Sequence, residues 1–140
     1  MTTVLATAPQ GPVARAYGLF PVPLHALAMD LRVVVFTVAA RMELPDLEET
    51  IKWGEPAYLP GRGGTTLRIG YGRDATVCKL LVNCQTTLID GWRQRFEGRL
   101  VFEGNRAVLL APGVPFDRGA IETCVADAFV YHKRKKAAHG

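Results

Sequence analysis

Cysteine and histidine are both scarce in this chain, three of each in 140 residues. Cys78, Cys84 and Cys124 follow no metal-ligand spacing, so the zinc-binding classes that rest on paired cysteines find no support. Cys78 and Cys84 are six apart, which on one strand places them on the same face as Leu80 and Val82. That face is apolar, and buried free thiols in a reducing, cytoplasmic compartment are the expectation. His25, His132 and His139 form no Cys-His or Ser-His-Asp set in sequence order, so the chain is not expected to be an enzyme. Glu55, beside Pro56, is the best lone acid-base candidate. Long apolar runs are missing too. The stretch VVVF at residues 33–36 is far too short to span a bilayer, and MTTVLATAPQGPVARAYG at the start has neither the basic region nor the apolar core of a signal peptide. The Gly-rich stretch Gly61-Arg62-Gly63-Gly64 lacks the Lys-Ser/Thr pair and helix start of a phosphate-binding loop. It reads as a hairpin loop.

The apolar fraction, 49%, is that of a globular domain with a core, and 140 residues make one such domain. A net charge of +4 invites thought of nucleic acid, but its distribution argues otherwise. Lys133, Arg134, Lys135 and Lys136 supply four of the 17 basic residues, and the remaining 13 balance 13 acidic ones. The excess is a tail, and a basic run at a helix C-terminus suits the helix dipole. Nucleic acid and membrane are therefore not expected as partners.

Residues 1–23 hold four prolines and two glycines and are expected to form an extended or poorly ordered arm. The domain proper then covers residues 24–140. Leu24, Leu27, Leu31, Val34, Val35, Val38 and Met42 fall at helical spacing, which predicts a helix over residues 24–42 closed by Pro45. Strand-like segments follow, punctuated by Gly54 and Pro56, by the Gly-rich loop, and by Gly72-Arg73-Asp74. Thr87 is a candidate N-cap for a short helix to about Phe96, and Gly104-Asn105 is a hairpin signal. Asp117 is a candidate N-cap for a last helix with Ile121, Cys124, Val125, Ala128 and His132 on its apolar stripe. Short loops join antiparallel strands, and the helices must cover one sheet face. The expectation is an α+β, two-layer sandwich: an antiparallel sheet of about five strands under the N- and C-terminal helices.

Five phrases carry a family resemblance: IKWGEPAY at residues 51–58, TTLRIGY at 65–71, LLVNCQTTLIDGWRQRF at 80–96, FEGNRAVLL at 102–110 and AFVYHKRK at 128–135. Together, over residues 24–136, they resemble the YdhG-like domain family. The resemblance implies a frataxin-like arrangement, with two helices packed on an antiparallel sheet, and it brings a role as an intracellular iron chaperone into view. Iron of that kind is held by carboxylates on the first helix and strand. Here the first helix offers only Asp30, and Glu43, Asp46, Glu48 and Glu49 cluster at the helix–strand junction instead.

Two functional readings result. In the leading one the chain is a non-catalytic domain, without cofactor, that binds a small polar ligand or a protein partner. Alternation places Lys52, Arg68, Lys79, Asn83 and Gln85 on the sheet face away from the helices. Trp53 and Tyr58 flank the Gly54–Pro56 break, and Trp53, Tyr58, Arg68 and Gln85 form the expected ligand site. In the alternative, Glu43, Asp46, Glu48 and Glu49 hold iron for delivery. An interaction module, docking through an edge strand, the basic tail or a second copy of itself, is a third class.

Overall fold

The computed structural model describes residues 7–133, so residues 1–6 and the tail beyond Lys133 lie outside the described residues. Ten elements follow one another: α1 (Gly11–Gly18), α2 (Val22–Arg41), β1 (Glu48–Lys52), β2 (Glu55–Leu59), β3 (Leu67–Tyr71), β4 (Cys78–Leu81), α3 (Leu88–Arg95), β5 (Val101–Glu103), β6 (Ala107–Leu110) and α4 (Arg118–Phe129). The strands form one sheet in the order β1-β2-β3-β4-β6-β5, every pair antiparallel. The fold is α+β. Its sheet has six strands rather than about five, because both arms of the Gly104-Asn105 hairpin join it. From β4 the chain passes through α3 and β5, and β6 then returns to pair with β4.

The helical spacing in α2 is realised: Leu24, Leu27, Ala28, Leu31, Val34, Val35 and Val38 are all buried. α2 is long and apolar enough to cross a membrane, with a mean hydropathy of 1.6 over its best window, half of which is buried inside the protein. The apolar segment is thus much longer than the 33–36 run alone suggested. Beneath α2 and α4 lie Leu67, Ile69, Cys78, Leu80 and Val108, none with measurable exposure. Each apolar side chain buried so fully contributes about 1.5–3 kcal/mol. Asp117 caps α4 as expected, its Oδ1 accepting from the Ala120 N–H at 3.1 Å.

The N-terminal arm departs from expectation. Residues 11–18 are helical, and Val13 and Tyr17 are buried. Pro12 and Pro23 sit in the first turns of α1 and α2, where the proline's missing N–H has no intrahelical partner to lose. α1 packs on β1 and β2 and is fastened by a chain of buried polar groups. The hydroxyls of Tyr17 and Tyr58 lie 2.5 Å apart. Tyr58 donates to Glu49 Oε2 at 2.7 Å, and Arg32 grips the same carboxylate with Nε at 2.7 Å and Nη2 at 3.0 Å. The Arg32 guanidinium also lies 4.8 Å from the centre of the Phe36 ring, a cation–π contact. On the far side of the core, Trp92 Nε1 donates to Asp127 Oδ2 at 2.9 Å.

The Gly-rich loop also does more than turn the chain. Gly63 O accepts from the N–H groups of His132 and Lys133, at 3.1 and 3.2 Å, and the Thr65 N–H donates to Ala128 O at 2.8 Å. The loop thereby closes the end of α4. A side chain at Gly64 would collide with the Phe129 backbone, so this approach requires glycine.

Candidate functional site

The face of the sheet away from the helices is open. Its construction starts at the turn between β1 and β2, where Trp53 and Gly54 are the two central residues. Both have positive φ, 55° and 76°, the signature of the hairpin turn whose twist matches that of the flanking strands. Gly54 suits such a turn. Trp53 does not, since a bulky residue in the left-handed region is strained by about 1–2 kcal/mol. Its indole is nevertheless 90% exposed and stands on the rim of a concavity of about 730 Å³.

Lys52 and Glu55 face each other across the hairpin and line this concavity together with Arg68 of β3. Arg68 Nη1 forms an ion pair with Glu55 Oε1. The Glu55 carboxylate lies over the backbone of Gly70, in the space a side chain there would take, which accounts for a glycine in the middle of a strand. Burial pushes the Glu55 carboxyl above its usual range, and Arg68 and then Lys79 pull against it. A second hollow of about 470 Å³ continues across the sheet and shares Glu55, Arg68 and Arg106 with the first.

The opposite wall comes from two turns. After β4 the Asn83 side chain accepts from the Gln85 N–H at 2.9 Å, and Asn83 and Cys84 face the concavity. The β5–β6 turn brings Arg106 to the same wall. That turn is held firmly: the Val82 N–H donates to Arg106 O at 2.8 Å, Asn105 Nδ2 to Cys84 O at 3.0 Å, and Arg93 Nη2 to Gly104 O at 2.8 Å. Thr65 and Thr66 close a third side. Among the described residues Lys79 is paired with Glu103 at 2.6 Å, while Lys52 and Arg106 have no ion pair. The first concavity therefore presents three cations, Lys52, Arg68 and Arg106, against the single carboxylate of Glu55, and two of those cations are free.

Of the residues expected to bind ligand, Trp53 and Arg68 line the concavity, and Tyr58 and Gln85 do not. Tyr58 is fully buried on the helix-covered face, because it follows Ala57 by one residue and alternation sends it the other way. Gln85 is exposed in the turn after β4, where its backbone N–H serves the Asn83 side chain. β4 ends at Leu81, so the alternation does not continue to residues 84 and 85. For the same reason Cys84 is exposed, unlike Cys78 and Cys124, whose thiols are pushed up by burial, that of Cys78 to about 12. Arg106 is the cation of the lining that the sequence reading did not select. Its place next to Gly104-Asn105, a turn at a sheet edge, was the available signal.

The four carboxylates of the metal reading are not brought together. Among the described residues no group of three or more His, Cys, Asp or Glu side chains could hold a metal ion. Glu49 turns inward to Arg32 and Tyr58, while Glu43, Asp46 and Glu48 are exposed along the α2–β1 connection. No family model, curated protein or solved structure matches the chain.

Proposed function

We propose that the protein is a non-catalytic binding domain that takes a small polar or anionic ligand into the concavity on the open face of its sheet. One observation carries this reading: Trp53, 90% exposed, is held at a φ of 55° on the rim of that concavity. Strained backbone under an exposed aromatic group is the kind of local conflict that concentrates at functional sites. The excess of positive charge in the lining supports an anionic group in the ligand. The packing of α2 and α4 over an antiparallel sheet supports the finer assignment as well, to a frataxin-like architecture of the YdhG-like kind, to which α1 is an addition.

Cys84 supplies a direct test. It is the exposed thiol of the three and lines the concavity, so a bound ligand should shield it from a thiol-labelling reagent. Small anions are screened for protection of Cys84, in the wild type and in Trp53→Ala. The reading predicts protection by at least one compound in the wild type and its loss in Trp53→Ala, with unfolding temperatures confirming that the variant is folded. A screen without protection, or protection that persists in the variant, would refute it.

A further inference from the structure

We infer that the ligand is a planar ring carrying one anionic group, with the ring stacked on Trp53 and the anion taken by the unpaired cations of the lining, Lys52 and Arg106, rather than by Arg68. This deepens the proposed binding function and rests on it. The ring follows from the indole. A tryptophan 90% exposed beside a concavity offers a flat apolar face, and a stacked ring is the occupant that gains most from such a surface.

The division among the cations follows from their partners. Arg68 already has a carboxylate, and that carboxylate is seated over the backbone of Gly70. The pair carries no net charge. An incoming anion would have to displace Glu55 from Arg68, exchanging one ion pair for another with little gain. Lys52 and Arg106 have no such partner among the described residues. Lys52 adjoins the indole in the chain, and Arg106 stands on the turn that is bonded to Val82 through the Arg106 carbonyl and to Cys84 through the Asn105 side chain. A planar guanidinium there can take a carboxylate or a phosphate in a forked pair. Arg106 lines both hollows, as Glu55 and Arg68 do, while Trp53 and Lys52 line the larger one alone.

Tryptophan emission reads the site, since Trp92, the other tryptophan, is buried. The probes are 1-naphthoate and adenosine 5′-monophosphate, which carry ring and charge, adenosine, which lacks the charge, and succinate and inorganic phosphate, which lack the ring. The first two should quench Trp53 with affinities at least about tenfold above the other three, as expected when stacking and a charged hydrogen bond each contribute a factor of that order. The stronger of the two then shows whether the anion is a carboxylate or a phosphate. Lys52→Ala and Arg106→Ala should each weaken the better probe about tenfold, and more than the double variant Glu55→Gln/Arg68→Gln does, because the pair it removes is neutral. Trp53→Asn should abolish binding while leaving the fold intact, since Asn-Gly suits this turn better than Trp-Gly. Succinate or phosphate binding as tightly as the ring-bearing anions, or adenosine binding as tightly as its monophosphate, overturns the inference and leaves the broader reading standing. So does retention of binding in Arg106→Ala with loss in the Glu55/Arg68 double variant. If none of the five compounds binds, by quenching or by protection of Cys84, the inference and the broader reading fail together.

Discussion

Arg32 and Arg68 sit on opposite faces of one structure and meet their carboxylates on different terms. Arg32 is 3% exposed and joins Glu49 through two hydrogen bonds, with the hydroxyls of Tyr58 and Tyr17 completing the chain. No buried side-chain nitrogen or oxygen among the described residues is left without a partner. Arg68 holds Glu55 at a half-open position, with two free cations and an exposed indole nearby. The covered face encloses charge only with every hydrogen bond made, which fixes α1 and α2 against β1 and β2 in a single arrangement. The open face retains groups that have no partner among the described residues. Completeness on one side and deficit on the other separate a structural polar network from a binding surface.

The sharpest way to break this contrast is to remove Arg32. Arg32→Ala strands the Glu49 carboxylate and should cost about 3–5 kcal/mol, a large part of the stability of an ordinary domain. Replacing both partners, Arg32→Met with Glu49→Leu, should cost far less, as no unpaired charge remains. Urea denaturation of the three proteins measures this, and equal losses in the single and double variants would show that the network is not enclosed as described. A smaller effect of opposite sign is expected on the open face. Trp53→Asn should raise stability by about 1 kcal/mol, the strain of a bulky residue at positive φ. A destabilised variant in the same assay would mean that the indole packs in a way its exposure denies.

The smallest effect concerns pH. The folded protein holds the Glu55 carboxyl above its ordinary value of 4.5, chiefly through burial. Folding thus favours the protonated form. That contribution is complete below the unfolded value and is lost as pH rises through the folded one. Wild type should therefore gain stability relative to Glu55→Gln, which does not titrate, as pH falls from about 7 toward about 4.5. Partial solvent exposure keeps the gain modest. Denaturation midpoints of the two proteins across that interval provide the check, and a difference that stays flat or moves the other way would show that the attraction of Arg68 outweighs burial.

Much of this architecture was readable from residue pattern, and the failures have physical causes. The stripe of Leu24, Leu27, Leu31 and Val35 announced α2 because one face of a long helix must be apolar, and Asp117 announced α4 through its side-chain acceptor. The arm misled because proline is both a helix breaker and a favoured first-turn residue, and spacing alone does not tell Pro12 and Pro23 from the other kind. Tyr58 misled because nearness to a bend along the chain says nothing about which way the pleat sends the ring. Trp53 and Arg68 were legible as members of an open face. Arg106 was marked only by its place beside the Gly104-Asn105 turn, and that this turn borders the concavity depends on β6 crossing back to lie beside β4, a pairing the local sequence does not show. The Arg32–Glu49 bond is invisible for the same reason: an arginine on a mostly apolar helix reads as a solvated charge until the strand that faces it is known.

Thr65 and Thr66 border the concavity, while the same short loop, through Gly63 O and the Thr65 N–H, closes the last turn of α4. One border of the hollow and the end of the helix are thus a single hydrogen-bonded unit. Fraying of that final turn would slacken the border, and a ligand gripping the border would steady the turn in equal measure. The end of α4 and the open face of the sheet are in this way joined through one loop rather than through the core.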